Sequence, residues 1–232
     1  MIKIYSSESR FHTDLGWLNS RLSFPFGEHY DPENKNFGAL RVFNDDIVAG
    51  NRGFGGHPHR EMEIVTIVLS GQLKHEDSTG HVAVTGFGGI QRMSAGTGII
   101  HSEVNPGDEE VKLLQLWFTP ERKGLPPSYE TSQYEPAKMR GALLPVVSKQ
   151  SGPGIAHINQ DLTIYLSDIE AGQTLRTHQP ASRRIYVFVL EGEVLLSDEH
   201  RLNRRDSARI TEVSELTITA QENARFMLID LP

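Results

Sequence analysis

Short runs of apolar, often β-branched residues recur along the chain, and turn residues close each of them. Residues 63–69 (EIVTIVL) precede a turn at Gly71, and residues 185–190 (IYVFVL) precede a turn at Gly192. Runs of this length and composition before glycine turns are typical of β-strands that enter hairpins. Residues 161–168 alternate in polarity, as a half-buried strand does. Helix signals are scarce, so the pattern predicts an all-β protein.

The two apolar runs resemble each other, and this similarity extends beyond them. The spacing between their turn glycines, applied elsewhere, aligns His57 with His178 and His59 with Pro180. We therefore predict two β units of related design, the second of which has lost side chains that the first retains. Because His178 has no partner of its own type nearby, we expect it to be structural.

The ends of the two units also agree, since residues 114–120 (LQLWFTP) resemble residues 226–232 (FMLIDLP). The segment between the units is rich in Pro, Gly and Ser and has weak periodicity, which is typical of a linker. The prediction is two tandem β-barrels, with an N-terminal barrel at 1–120, a linker at 121–154 and a C-terminal barrel at 155–232.

Two short motifs indicate a metal site in the N-terminal unit. One residue separates His57 from His59, and one residue separates His101 from Glu103. Side chains at i and i+2 share a face of a β-strand, so two facing strands would gather three imidazoles and one carboxylate. Glycines precede both motifs and would let the backbone turn tightly and approach a ligand closely.

The composition limits which ligand atoms this site can offer a metal and which molecules the protein can bind. The chain has no cysteine, so a metal must be held by nitrogen and oxygen ligands. The net charge is -7, with 23 basic and 30 acidic residues and no basic run, which argues against nucleic acid as a direct ligand. Neither a secretory signal nor a membrane-spanning apolar stretch is visible, so we expect a soluble cytoplasmic protein.

Residues 96–105 (GTGIIHSEVN) resemble the second motif of the cupins, in which a histidine follows a Pro/Gly-rich turn and an asparagine follows four residues later. The likeness is closer to the pirin family, in which the fourth ligand follows the third histidine, as Glu103 follows His101. It covers most of the chain, because further segments resemble the amino-terminal part of pirins: residues 16–18, 24–26, 30–32 and 38–46.

This resemblance implies a bicupin, that is, two cupin (jelly-roll) barrels with metal only in the N-terminal one. It implies His57, His59, His101 and Glu103 as metal ligands. Many cupins take their carboxylate from the first motif, and Glu63 shares the strand face of the two histidines, so Glu63 stays open as an alternative ligand or as a partner of a ligand.

Four nitrogen and oxygen ligands leave open positions on an octahedral ion, which suits Fe(II), Mn, Co, Ni or Cu better than a closed zinc site. We expect Fe(II), with the other ions and Zn as alternatives. The resemblance implies a quercetin 2,3-dioxygenase type of enzyme, which opens a flavonol ring with O2 and releases carbon monoxide, with Glu103 as the catalytic base. The substrate would be a small aromatic compound that chelates through oxygen.

A different class of function stays open: a non-catalytic metal-binding pirin that regulates a protein partner. Other side chains have lesser expectations. Gln115 and Trp117 are candidates for contact with a ligand, Phe54 and Met93 for lining the pocket. No role is expected for three histidines in polar sequence surroundings: His12, His75 and His81.

Overall fold

The computed structural model describes residues 1–232 and contains almost no helix. Its only helices are two single-turn 3-10 helices, Ser7–Ser9 and Pro136–Met139. None of the helices is long and apolar enough to cross a membrane. The strands are β1 (Ile2–Tyr5), β2 (Phe11–Asp14), β3 (Leu18–Leu22), β4 (Leu40–Val48), β5 (Gly53–His59), β6 (Glu63–Ser70), β7 (Gln72–Asp77), β8 (Val82–Gly86), β9 (Gly89–Ser94), β10 (Ile99–Val104), β11 (Val111–Phe118), β12 (Ser128–Gln133), β13 (Leu144–Ser148), β14 (Ala156–His157), β15 (Thr163–Ile169), β16 (Thr174–His178), β17 (Arg184–Glu191), β18 (Val194–Leu196), β19 (His200–Leu202), β20 (Ser207–Thr211), β21 (Glu215–Ala220) and β22 (Ala224–Leu231).

The strands form two separate barrels, each built from a large and a small antiparallel sheet. In the N-terminal barrel the large sheet has the order β12-β9-β6-β11-β4-β3-β2 and the small sheet the order β5-β10-β7-β8. In the C-terminal barrel the large sheet contains β1-β20-β17-β22-β15-β13 and the small sheet β16-β21-β18-β19. The prediction of an all-β protein with two related jelly-roll barrels is confirmed.

The two compact units interleave along the chain, unlike the contiguous ranges 1–120, 121–154 and 155–232. The N-terminal unit comprises Phe11–Tyr134 and Lys149–Gln160. The C-terminal unit comprises Met1–Arg10, Glu135–Ser148 and Asp161–Pro232. The first residues belong to the C-terminal unit because β1 pairs with β20. The segment expected to be a linker contains β12 and β13 and is divided between the units.

The apolar runs form the central strands that the sequence pattern predicts. The run at 63–69 lies in β6 and the run at 185–190 lies in β17, and both are almost fully buried. The turns after them place Gly71 at φ 75° and Gly192 at φ 76°. Only glycine adopts this left-handed conformation without steric cost, which explains why it closes both hairpins.

The barrels differ in what fills them. The C-terminal interior is a continuous apolar cluster that includes Val187, Leu216 and Phe226. The N-terminal barrel has smaller apolar clusters, around Val68 and Leu113 for example, and the space beside them holds polar side chains. Because buried polar groups require partners, the interior of the N-terminal barrel is the candidate location for a polar site.

Asn105 fixes the end of the strand that supplies two of the candidate ligands. Its buried Nδ2 donates to the carbonyl oxygens of Val48, Ala49 and Glu109 at 3.1, 3.2 and 2.7 Å. Its Oδ1 accepts a hydrogen bond from the backbone N–H of Gly107 at 3.0 Å. The asparagine of the second motif therefore ties β10 to the neighbouring loops.

Candidate metal centre

Strands β5 and β10 of the small sheet pair side by side and supply the four predicted ligands. His57 lies directly opposite His101, and His59 follows on the same face of β5. A β-bulge between His101 and Glu103 shifts the register, so Glu103 lies opposite Phe54. A Cβ on Gly53 would lie 2.2 Å from the Glu103 carbonyl oxygen, so only glycine permits this close approach.

Three imidazoles converge in this sheet. The rings of His57, His59 and His101 have centroids 4.5–4.9 Å apart, and one ring nitrogen of each lies within 4.8 Å of the others. His57 Nδ1 donates to the carbonyl oxygen of Gly55 at 2.8 Å, which leaves the Nε2 lone pair of His57 free. The Nε2 atoms of His59 and His101 are buried and have no hydrogen-bond partner. Buried, unpartnered nitrogens that converge in this way fit a metal ion.

The electrostatic environment keeps two of these imidazoles neutral. Burial and the nearby His57 lower the pKa of His59 from 6.5 to about 4. Burial and the neighbouring histidines lower the pKa of His101 from 6.5 to about 3. A neutral imidazole offers a lone pair, so both side chains are ready to bind a metal at neutral pH.

The Glu103 carboxylate is buried beside the three imidazoles. Oε2 accepts a hydrogen bond from Gln115 Nε2 at 2.6 Å, and Oε1 lies 3.2 Å from Thr66 Oγ1, which shares its one proton between Oε1 and Gln115 Oε1 at 2.5 Å. Burial raises the pKa of Glu103, although these hydrogen bonds oppose the increase. One oxygen of this carboxylate lies within 4.8 Å of a ring nitrogen of His101 and of a ring nitrogen of His75. It does not lie within that distance of all three clustered imidazoles. Gln115 thus contacts a predicted ligand directly.

His75 lies behind His101, although no role was expected for it. Although its neighbours in the sequence are polar, His75 is only 1% exposed and its ring stacks on Tyr129 at 3.9 Å. His75 Nε2 lies 3.0 Å from Asp77 Oδ2, and His75 Nδ1 lies 3.4 Å from His101 Nδ1. Since the Asp77 carboxylate only accepts, His75 Nε2 carries the proton of this hydrogen bond. His75 Nδ1 therefore accepts the proton that His101 Nδ1 carries. That proton on Nδ1 leaves the His101 Nε2 lone pair facing the cluster.

Asp77 is built to accept this hydrogen bond. Burial alone would raise its pKa, but hydrogen bonds from Thr79, His75 and His81 hold the pKa of Asp77 below its usual range. The aspartate therefore stays ionised and orients His75. Asp77, His75 and His101 form a chain of hydrogen bonds that ends at the cluster.

The remaining candidates lie at varied distances from the cluster. Glu63 is buried away from it, where Oε1 accepts from Ser94 Oγ at 2.6 Å and Oε2 from the Asn159 N–H at 3.1 Å. The Trp117 ring meets the His59 ring edge-on at 4.6 Å. Met93 packs in an apolar cluster with Ile64, Ala95 and Ile99. In the C-terminal barrel, His178 is exposed, and its nearest charged partner, Glu215, lies 3.9 Å away.

A cavity of about 580 Å³ opens onto this centre within the N-terminal barrel. His57, Glu103 and Gln115 are among the residues that line it. Most of the wall is apolar and is formed by Leu18, Leu22, Phe26, Phe54 and Trp117. A predominantly apolar cavity of this size with a few polar groups is typical of a small-molecule site.

A second buried carboxyl, Asp46, also lines this cavity. Burial raises the pKa of Asp46 from 3.8 to about 7, the hydrogen bond that Ser20 Oγ donates to it opposes the shift, and the negative charges of Asp45 and Glu103 add to it. Its register neighbours, Ser20 on β3 and Leu113 on β11, are uncharged. The barrel therefore holds an acid that is difficult to ionise in the folded state.

Asp46→Asn is expected to stabilise the metal-free protein, and more so at high pH. An aspartate whose pKa is raised in the folded state makes its full contribution to the free energy of unfolding below pH 3.8. This contribution is lost as the pH rises from there through about 7. The gain of the variant should therefore be larger at pH 8 than at pH 5, by about 2–3 kcal/mol. Urea unfolding of both proteins at the two pH values measures it. An equal gain at both values would contradict the raised pKa.

Comparisons with known proteins extend this description. The pirin family model matches residues 5–118, and that of the quercetinase C-terminal cupin domain matches residues 145–231. The quercetin 2,3-dioxygenase of Escherichia coli (strain K12) is 36% identical over 233 residues, which cover 100% of this chain and 99% of that protein. A pirin-like protein of Caulobacter vibrioides is 38% identical over 218 residues and covers 94% of each chain.

The solved structures agree with the sequence comparisons. The bacterial pirin YhhW from Escherichia coli, in complex with nickel(II), superposes with a TM-score of 0.94 at 35% identity, and the match covers 100% of this chain and 99% of that one. The fold, the His/Glu cluster that could hold a metal ion and the two family matches agree with one another. The chain therefore belongs to the pirin family.

Proposed function

We propose that this protein is a metal-dependent dioxygenase of the quercetin 2,3-dioxygenase type, which opens a flavonol ring with O2 and releases carbon monoxide. The observation that supports it most is the convergence of His57, His59 and His101 beside a cavity that His57 and Glu103 line. The relative named quercetin 2,3-dioxygenase agrees with this proposal. A bound transition-metal ion, Fe(II) in our expectation, would supply Lewis acidity and open positions for the chelating oxygens of the substrate.

The protein side chains have separate tasks in this proposal. His57, His59 and His101 would hold the ion, and Glu103 would complete the ligand set. Glu103 Oε1, which lies farther from its hydrogen-bond partner than Oε2 does, would accept the proton of the substrate hydroxyl once the carboxylate has loosened from the ion. Burial raises the pKa of Glu103, so the carboxylate binds this proton more firmly than an exposed one would.

The cavity wall positions the substrate and excludes water. Phe26 and Trp117 pack edge to face at 5.2 Å and offer flat apolar surface to an aromatic ring. The Nε1–H of Trp117 is buried without a partner, so it is available to donate to a substrate oxygen. An apolar environment with few, fixed donors favours a planar, oxygenated aromatic ligand.

The proposed activity is tested by anaerobic reconstitution of the metal-free protein with Fe(II), Mn, Co, Ni, Cu or Zn, one ion at a time. Air and quercetin are then added, and flavonol absorbance and carbon monoxide are followed together. We expect carbon monoxide in step with flavonol loss, and a decrease in turnover of roughly 10²–10⁴-fold per bound metal in Glu103→Gln. Stoichiometric metal with no carbon monoxide from any ion would contradict the proposal and favour a metal-binding regulator of a protein partner.

A further inference from the structure

Three polar side chains occupy the part of the cavity wall formed by β3 and β4. Ser20, Asn44 and Asp46 all line the cavity, and each is at most 3% exposed. Asn44 and Asp46 are two residues apart on β4, so both face the interior, roughly 7 Å apart along the strand. Elsewhere this part of the wall is apolar, with Leu18 and Leu22 on β3.

Asn44 has an acceptor that the protein leaves unused. Its Oδ1 is buried and has no hydrogen-bond partner. An unsatisfied buried acceptor costs about 1–3 kcal/mol, so its persistence beside a cavity indicates that a ligand satisfies it. Asn44 also lies opposite Gln115, which donates to Glu103, so the acceptor lies one strand away from the predicted ligand set.

Asp46 has acceptor capacity of the same kind. Oδ1 accepts a hydrogen bond from Ser20 Oγ, which is the one side-chain hydrogen bond of Asp46. A buried carboxyl group that is only partly satisfied, on the same cavity wall as the free Asn44 acceptor, complements groups that donate hydrogen bonds. Hydroxyl groups meet this requirement, whereas ethers, methyl groups and unsubstituted rings do not.

We infer that Asn44 and Asp46 form a subsite for hydroxyl groups on the ring of the substrate that lies away from the metal ligands. This inference rests on the proposed function, because it deepens the substrate class from flavonols in general to flavonols with a hydroxylated outer ring. The subsite makes no contact with the reacting atoms, so it determines specificity by binding. A ligand without these hydroxyls would leave both groups unsatisfied, and such a deficit is a strong basis for discrimination.

The test is calorimetric binding of two flavonols to nickel(II)-loaded protein without O2, which prevents turnover. Quercetin has two hydroxyls on its outer ring, and galangin has none, while both share the chelating hydroxyl and keto group. We expect quercetin to bind roughly tenfold more tightly than galangin. In Asn44→Leu and Asp46→Leu the preference should fall to less than about threefold, with the affinity for galangin unchanged or higher.

Leu22→Met is the matched control, because Leu22 lies opposite Asn44 on β3 and lines the cavity with no polar group. It should keep the preference for quercetin. An unchanged preference in both leucine variants, no preference in the natural protein, or no binding of either flavonol would overturn the inference. The proposed function is judged separately, by carbon monoxide release in air. Equal carbon monoxide release from quercetin and galangin would support the proposed function and contradict the subsite.

Discussion

His101→Ala is expected to remove stoichiometric metal from the protein while both barrels stay folded. The imidazole of His101 faces His57 across the β5–β10 pair, and its buried Nε2 has no partner within the protein. Removal of one of three clustered imidazoles leaves too few nitrogen ligands, so the affinity should fall by at least about 100-fold. Metal analysis after dialysis against micromolar Fe(II) or Ni(II), alongside circular dichroism, measures both properties.

Two further variants keep this experiment decisive. His101 is buried, so a folding defect could mimic loss of the ligand, whereas His59 is only partly buried and His59→Ala should lose metal without such a defect. His178→Ala alters the aligned histidine of the C-terminal barrel, whose side chain is 69% exposed. Its metal content should be unchanged. Retention of one metal per chain in both His101→Ala and His59→Ala would contradict the assignment of the site.

The parts of this site that the sequence predicts are those that depend on local geometry. Strand periodicity places His57 with His59 on one face, and the glycine before the second motif permits the turn that leads into β10. The pairing of His57 with His101 does not follow from the sequence, since two i,i+2 motifs do not specify their own register. The antiparallel pairing of β5 and β10 in the structure sets this register.

The side chains that the sequence did not reveal are those whose burial depends on distant strands. Residues 72–77 (QLKHED) are mostly polar, yet strand alternation puts Leu73, His75 and Asp77 on one face. That face is buried because other strands pack over it, as the stack of Tyr129 from β12 on His75 shows, and the pairing of β7 with β10 sets His75 opposite Glu103. A His-x-Asp spacing on a predicted strand was the available signal.

The same limit applies to Asn44 and Asp46 and to the division of the chain. An Asn-Asp-Asp sequence at 44–46 is typical of an exposed turn, whereas here it lies within a central strand between β3 and β11. The assignment of residues 1–10 to the C-terminal unit depends on a strand pairing over most of the chain length. Neither feature has a signature within a short window of sequence.

His75→Phe is expected to weaken metal binding by roughly 10–100-fold without any loss of a metal ligand. Phenylalanine has a similar ring and retains the stack on Tyr129, so the main change is the loss of two ring nitrogens. Without the His75 Nδ1 acceptor, nothing holds the His101 proton on Nδ1, and the ring can rotate or place its proton on Nε2. The loss should appear in competition titrations with a chelator, while the stoichiometry at saturating metal stays at one.

His81→Phe is the control that isolates this effect from the general charge around Asp77. His81 Nδ1 lies 3.5 Å from Asp77 Oδ2, but the side chain is 47% exposed and has no contact with His101. Its loss should change the metal affinity by less than about threefold, because the half-exposed His81 side chain makes no hydrogen bond to a predicted ligand. Equal weakening in both variants would show that Asp77 acts through local charge. Weakening in His75→Phe alone would show that the hydrogen-bond chain from Asp77 through His75 orients His101 for the metal.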